Sequence, residues 1–154
     1  MSLTNSNKLF DDDTNNTDLV DLLNKALASE YQASMQYQQH YNNVKGKFVD
    51  TIEHFKAHMD EENGHAHSLC MRICSLGGTP TTEIEPLAPF TSDIDEALKQ
   101  DILAEKKAIK LYTEILDLCE QANDRATEML IEKILGDEVE HLDEFCKFRK
   151  VLLK

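Results

Sequence analysis

Proline is scarce in this 154-residue chain: there are three, and Pro80, Pro86 and Pro89 all fall in one short segment. Proline breaks a helix from the inside, so the long stretches on either side are free to be helical throughout. No apolar run approaches the roughly 18–20 residues that span a bilayer, which excludes a membrane-embedded chain. Met1 to Thr17 is rich in Asn and Asp and lacks the apolar core of a secretory signal, so a cytoplasmic location is expected. The four cysteines, Cys70, Cys74, Cys119 and Cys146, include no CxxC pair and are too few for a disulfide scaffold; they are expected to be free, largely buried thiols. Basic residues are also short, 16 Lys and Arg against 29 Asp and Glu, for a net charge of -13. That balance argues against binding a nucleic-acid backbone. It suits a protein that gathers cations, and equally a surface kept charged for solubility.

What is present is helical periodicity. Gly77-Gly78 followed by Pro80 stops a helix, and Thr91-Ser92-Asp93 with Asp95 and Glu96 behind it caps and starts another. Lys45-Gly46-Lys47 and Asn123-Asp124 mark two further breaks. The spacing predicts four long helices over roughly 17–44, 47–76, 93–120 and 124–152, after a flexible polar tail at 1–16. The outer connections are short, so each flanking pair forms an antiparallel hairpin. The middle connection of about 16 residues can reach roughly 50 Å when extended, against roughly 42 Å for a 28-residue helix. The expected fold is therefore all-α: one domain over 17–154, a four-helix bundle of two antiparallel hairpins joined by a long crossover.

Each helix carries one apolar stripe, and each stripe is interrupted by a glutamate. The first runs Leu19, Leu22/Leu23, Ala26/Leu27, Glu30, Ala33/Ser34, Tyr37, Tyr41, and the second Phe48, Ile52, Phe55, Met59, Glu62, Ala66, Leu69, Ile73, Leu76. The third runs Ile94, Leu98, Ile102, Glu105, Ala108/Ile109, Tyr112, Ile115/Leu116, Cys119, and the fourth Ile131, Ile134, Glu138, His141/Leu142, Phe145, Phe148, Leu152. An unpaired buried carboxylate costs several kcal/mol. One such residue can be a satisfied hydrogen-bonding group. Four, one per helix and each near its middle, meet at one level of the core, where no lysine or arginine of the stripes can neutralise them. A metal cluster does so.

The spacings agree. Glu30 to Glu62 is 32 residues and Glu105 to Glu138 is 33, so the hairpins repeat one layout. Glu62-Asn63-Gly64-His65 and Glu138-Val139-Glu140-His141 each place an imidazole three residues after the glutamate, on the same helical face. A single ExxH says little; two, each opposite a core glutamate of the hairpin partner, form the pattern of dinuclear carboxylate proteins. Four carboxylates and two imidazoles suit Fe(II) or Mn(II).

On these residues the chain resembles the bacterioferritin branch of the ferritin-like superfamily. The resemblance covers about residues 17–152. It is carried by Glu61-Glu62-Asn63-Gly64-His65-Ala66, continuing through Arg72-Ile73 to Leu76-Gly77-Gly78-Thr79-Pro80, and by Asp137-Glu138-Val139-Glu140-His141. It implies that Glu62 and Glu138 bridge two metals, with Glu30 and His65 completing one and Glu105 and His141 the other. Tyr37 matches the tyrosine beside the family's site and reads equally as a core aromatic. Asp137 matches an Asp that hydrogen-bonds a ligand histidine of the opposite helix. Glu61 is longer than that role expects, and a solvated surface acid is an equal reading.

Two departures bear on what is bound and built. The position directly after the second-helix glutamate, where haem-binding relatives hold a methionine, is Asn63, so no haem is expected; Met59 reads as packing. Only 13 residues follow His141, too few for a fifth helix beyond the fourth. The resemblance then implies a smaller homo-oligomeric cage of twelve Dps-like subunits, without a basic DNA-binding tail. The expected activity is a ferroxidase: two iron ions oxidised by O2 or H2O2, with Mn or Zn able to take their place. A manganese catalase, a rubrerythrin-like peroxidase, or a non-enzymatic bundle with a structural metal compete with it. His40, His54, His58 and His67 are expected to be exposed, with His54 and His58 one turn apart and able to hold an ion in transit. Gly64 and Gly136 suggest close backbone approach beside the site.

Overall fold

Two aspartates punctuate the second half of the chain. Asp93 accepts a hydrogen bond from the Glu96 amide and Asp124 one from the Thr127 amide, satisfying donors that a helix start leaves open. In a computed structural model the backbone is described for residues 13–45 and 49–154, and side chains for 17–45 and 51–154. Four helices follow: α1 Asp13–Asn43, α2 Val49–Ser75, α3 Ile94–Ala122 and α4 Arg125–Leu152. α1 starts four residues before the expected position, so the polar tail is shortened from its inner end. Residues 1–12 and the expected break at Gly46-Lys47, with Phe48 of the second stripe, lie outside the described residues.

α1 packs on α2 and α3, and α4 on α3 and α2. Side-chain pairs fix the directions. Tyr31–Cys70 and Ser34–Asn63 join α1 to α2; Tyr112–Glu30 and His40–Asp101 join α3 to α1; Arg72–Asp124 and His58–Glu144 join α2 to α4. In each set one number rises as the other falls, so all neighbours run antiparallel. The result is the expected four-helix bundle, and none of its described helices is long and apolar enough to cross a membrane.

The turn out of α2 depends on two glycines. Gly77 takes φ +80°, and Gly78 donates its amide to the Ile73 carbonyl at 2.9 Å. A Cβ on Gly78 would sit 2.6 Å from Val20 Cγ1. The chain then runs as a strap along α1, held at Asn24 by Thr79 and Thr81, at Ala28 by Glu85 and at Lys45 by Ser92. These anchors carry the strap up roughly 30 Å of helix at about 1.5 Å per residue.

Two apolar clusters fill the bundle at different levels. One gathers Leu23, Leu27, Leu69, Ile73, Ile115 and Ile131, the other Tyr37, Phe55, Leu98 and Phe145. The four glutamates lie between them. All four cysteines are free, but only Cys119 is fully buried and Cys74 is exposed. The expectation of largely buried thiols fails at Cys74 because its neighbour Ile73 holds the core-facing position. Gly64 and Gly136 have nothing within 4 Å of an added Cβ, so the expected close approach is not there.

Candidate metal centre

The six candidate residues come together from all four helices: Glu30 of α1, Glu62 and His65 of α2, Glu105 of α3, Glu138 and His141 of α4. His65 is 7% exposed and the other five at most 2%. His65 Nδ1 stands 3.0 Å from Glu62 Oε2, 3.0 Å from Glu138 Oε1 and 3.4 Å from Glu30 Oε2. His141 Nδ1 stands 3.1 Å from Glu62 Oε1, 3.7 Å from Glu105 Oε1 and 3.8 Å from Glu138 Oε2. Two sets of four ligand atoms result, Glu30/Glu62/His65/Glu138 and Glu62/Glu105/Glu138/His141, each within 4.8 Å of one another. Glu62 and Glu138 belong to both.

The electrostatics of so many acids in one dry space are costly unless something positive joins them. Burial, followed by the charge of Glu62, holds Glu30 well above the usual carboxylate range. Burial, Glu62 and Glu30 do the same to Glu138. Burial also opposes ionisation of Glu62, but its contacts with His141 and His65 outweigh that and bring it below the usual range. Burial disfavours charged imidazoles too, yet the surrounding carboxylates lift His65 far above its ordinary value and His141 to about 11. Even so, Glu30 Oε2, Glu62 Oε1, Glu138 Oε1 and His141 Nδ1 have no hydrogen-bond partner. Buried polar atoms are seldom left unpaired. Four that face one another fit a pair of divalent cations.

Further side chains hold the carboxylates and imidazoles of this ring. Tyr37 of α1 donates its hydroxyl to Glu105 Oε1, and Tyr112 of α3 donates to Glu30 Oε1. Burial, then the facing carboxylate, keeps both phenols protonated, with pKa values well above the usual range. His65 Nε2 meets Asp137 Oδ2 at 3.1 Å and His141 Nε2 meets Glu61 Oε2 at 2.7 Å. Such contacts fix the ring orientation so that Nδ1 points at the centre. Of the two readings for Glu61, the structure has the hydrogen bond to His141, although the side chain is 55% exposed.

Tyr112 was legible only as a core residue. Its signal was the repeated spacing: Tyr37 follows Glu30 by seven residues and Tyr112 follows Glu105 by seven. Among the other histidines, His67 is exposed as expected, while His40 and His58 are buried, contrary to expectation. His40 is enclosed because Nδ1 meets Asp101 Oδ2 at 2.9 Å in a polar link between α1 and α3 that Gln36 completes. His58 is enclosed because it packs on Tyr37, Phe145 and the His141 ring.

A ferritin-like domain model matches residues 20–152. A bacterioferritin of Desulfovibrio desulfuricans is 31% identical over 125 residues, 80% of this chain and 70% of that protein. Among solved structures, a ferritin-like, diiron-carboxylate protein from Bacillus anthracis superposes with TM-score 0.84 at 28% identity, covering 88% of this chain and 97% of that one. A dodecameric thioferritin from Bacteroides fragilis, a bacterioferritin-related protein, also gives TM-score 0.84 at 28% identity, covering 90% and 88%. The chain belongs to the ferritin-like family, in its bacterioferritin branch.

Proposed function

We propose that the chain binds two Fe(II) ions at this centre, oxidises them, and builds an iron-storing homo-oligomer of twelve subunits. Four buried donor atoms without partners, drawn from α1, α2 and α4 and facing one another, carry this reading. Glu30 and His65 hold one ion, Glu105 and His141 the other, and Glu62 and Glu138 lie between them, as their membership of both ligand sets supports. Four carboxylate charges balance two divalent ions. Iron supplies one electron from each ion; O2 takes the pair with two protons to give H2O2, or H2O2 takes it with two protons to give two waters.

The chain's own residues prepare that step. Tyr112 ties Glu30 Oε1 and leaves Oε2, which faces His65, to a metal, while Tyr37 holds the Glu105 carboxylate in place through Oε1. Asp137 and Glu61 accept from the imidazole Nε2 atoms and leave Nδ1 free for coordination. The apolar clusters above and below exclude water, which strengthens every charge interaction between them. The twelve-subunit assembly takes its support from the dodecameric thioferritin.

Anaerobic metal-stripped protein is mixed with Fe(II) and then with O2 or H2O2, and Fe(III) is followed by absorbance. Oxidation faster than in buffer, lost in Glu62→Ala, is the expected result. A rate equal to buffer overturns the ferroxidase reading, and a strictly monomeric native mass overturns the cage.

A further inference from the structure

We propose that His54, His58 and Glu144 form a third divalent-cation site, which holds an ion beside the dinuclear centre and passes it inward. Glu144 Oε2 of α4 is 3.0 Å from His54 Nδ1 and 3.1 Å from His58 Nε2 of α2. The three ligand atoms lie within 4.8 Å of one another. The His58 side chain is 5% exposed, Glu144 27% and His54 40%, so the site has a buried floor and an open outer side.

His58 has a further peculiarity. Its Nε2 faces Glu144, and its Nδ1 faces Glu61 Oε2 at 3.1 Å. A neutral imidazole has one N–H, so one of these contacts sets a ring lone pair against a carboxylate oxygen. A second proton or a cation between ring and carboxylate removes that conflict. The Glu144 end can take a cation, because His54 brings a second imidazole to the same oxygen. The Glu61 end is committed, since Glu61 already holds His141 at 2.7 Å.

The internal repeat does not extend to this cluster. Glu62 and Glu138 are 76 residues apart, as are His65 and His141; the same offset carries His54 and His58 to Leu130 and Ile134, and Glu144 back to Ser68. Ile134 is buried in the opposite apolar cluster. One end of the α2–α4 seam is thus packed with aliphatic side chains, and the other carries two imidazoles and a carboxylate.

The cluster opens on a cavity of about 250 Å³ whose wall also includes Glu61, Asp137 and His141. The His58 and His141 rings are 4.0 Å apart, centroid to centroid. An ion at Glu144 is therefore one imidazole away from a residue of the centre. Two imidazoles and one carboxylate, with water at the remaining positions, suit Fe(II), Co(II) or Zn(II). The delivery half of the proposal rests on the metal-binding reading of the centre.

The test uses Co(II) on the full chain without oxidant, so it is independent of the Fe(II) oxidation assay. Crystals soaked in Co(II) should show an anomalous peak bounded by His54, His58 and Glu144. It should vanish in the doubly substituted His54→Ala, Glu144→Gln chain while two peaks among the four core glutamates persist. Absence of the peak in the unsubstituted protein, or its survival in the double variant, overturns the site. Stopped-flow absorbance then follows filling of the dinuclear centre by Co(II), expected at least threefold slower in the double variant with the same end point at that centre. Equal rates overturn delivery.

Discussion

Tyr37 of α1 donates its hydroxyl to Glu105 of α3, across the bundle from the glutamate on its own helix. Tyr112 returns the same bond to Glu30. Each hairpin therefore positions a carboxylate of the other, and the two halves of the centre are coupled through the α1–α3 seam.

Replacing either tyrosine by phenylalanine removes a hydrogen bond to a buried carboxylate without opening a cavity. Such bonds are worth about 1.5–3 kcal/mol, so Tyr37→Phe and Tyr112→Phe should each weaken Co(II) binding roughly 10- to 100-fold at 1.4 kcal/mol per decade. Calorimetric titration reads the change. Unaltered affinity in both would show that the tyrosines are packing residues only.

Asp137→Asn and Glu61→Gln should act on different ions. Outer partners of metal-binding histidines are typically worth 10–100-fold in affinity. Asp137 contacts His65 and Glu61 contacts His141, so each variant should lower the occupancy of one Co(II) more than the other in anomalous maps. Equal loss at both positions would contradict separate roles.

Metal-stripped protein should lose stability between about pH 6 and about pH 9. Free imidazole titrates near 6.5, whereas in the folded chain the carboxylates hold His65 far above that and His141 at about 11. The folded state thus keeps protons that the unfolded state releases, and stability present below the unfolded value declines as pH rises toward the folded one. Glu30 and Glu138, raised by burial, have the same sign. Glu62 is lowered, so its contribution lies below this window and does not change within it. Co(II) should flatten the decline, because it replaces those protons. Melting temperatures at both pH values, with and without Co(II), test this; a rise on going to pH 9 in the stripped protein would contradict it.

The three glycines at helix positions and ends should respond in opposite directions. Gly64 and Gly136 have open space around an added Cβ, so alanine at either should stabilise by up to about 1 kcal/mol. Gly78→Ala would press on Val20 and should lower the melting temperature. Thermal melts of the three single variants separate these effects.

How much of this was legible beforehand depends on what a one-dimensional pattern can carry. A 3.6-residue period and a buried charge are properties of a single helix, so the four helices, their order and the six core residues followed from spacing alone. The long crossover followed from its length. Glu30, Glu62, Glu105 and Glu138 stood out because each broke an apolar stripe.

What lies opposite a face is not written on that face. His40 and His58 sit beside the stripes, and only the packing of α3 against α1 and of α4 against α2 encloses them. The reach of Glu61 to His141, the exchange of tyrosines between hairpins and the path of the strap along α1 are likewise decided by how neighbouring helices align. Sequence determined which apolar face each helix buries, because that follows from periodicity and the energetic cost of exposing apolar groups. Tertiary structure alone decided which buried groups touch, because that depends on the register between helices distant in the chain.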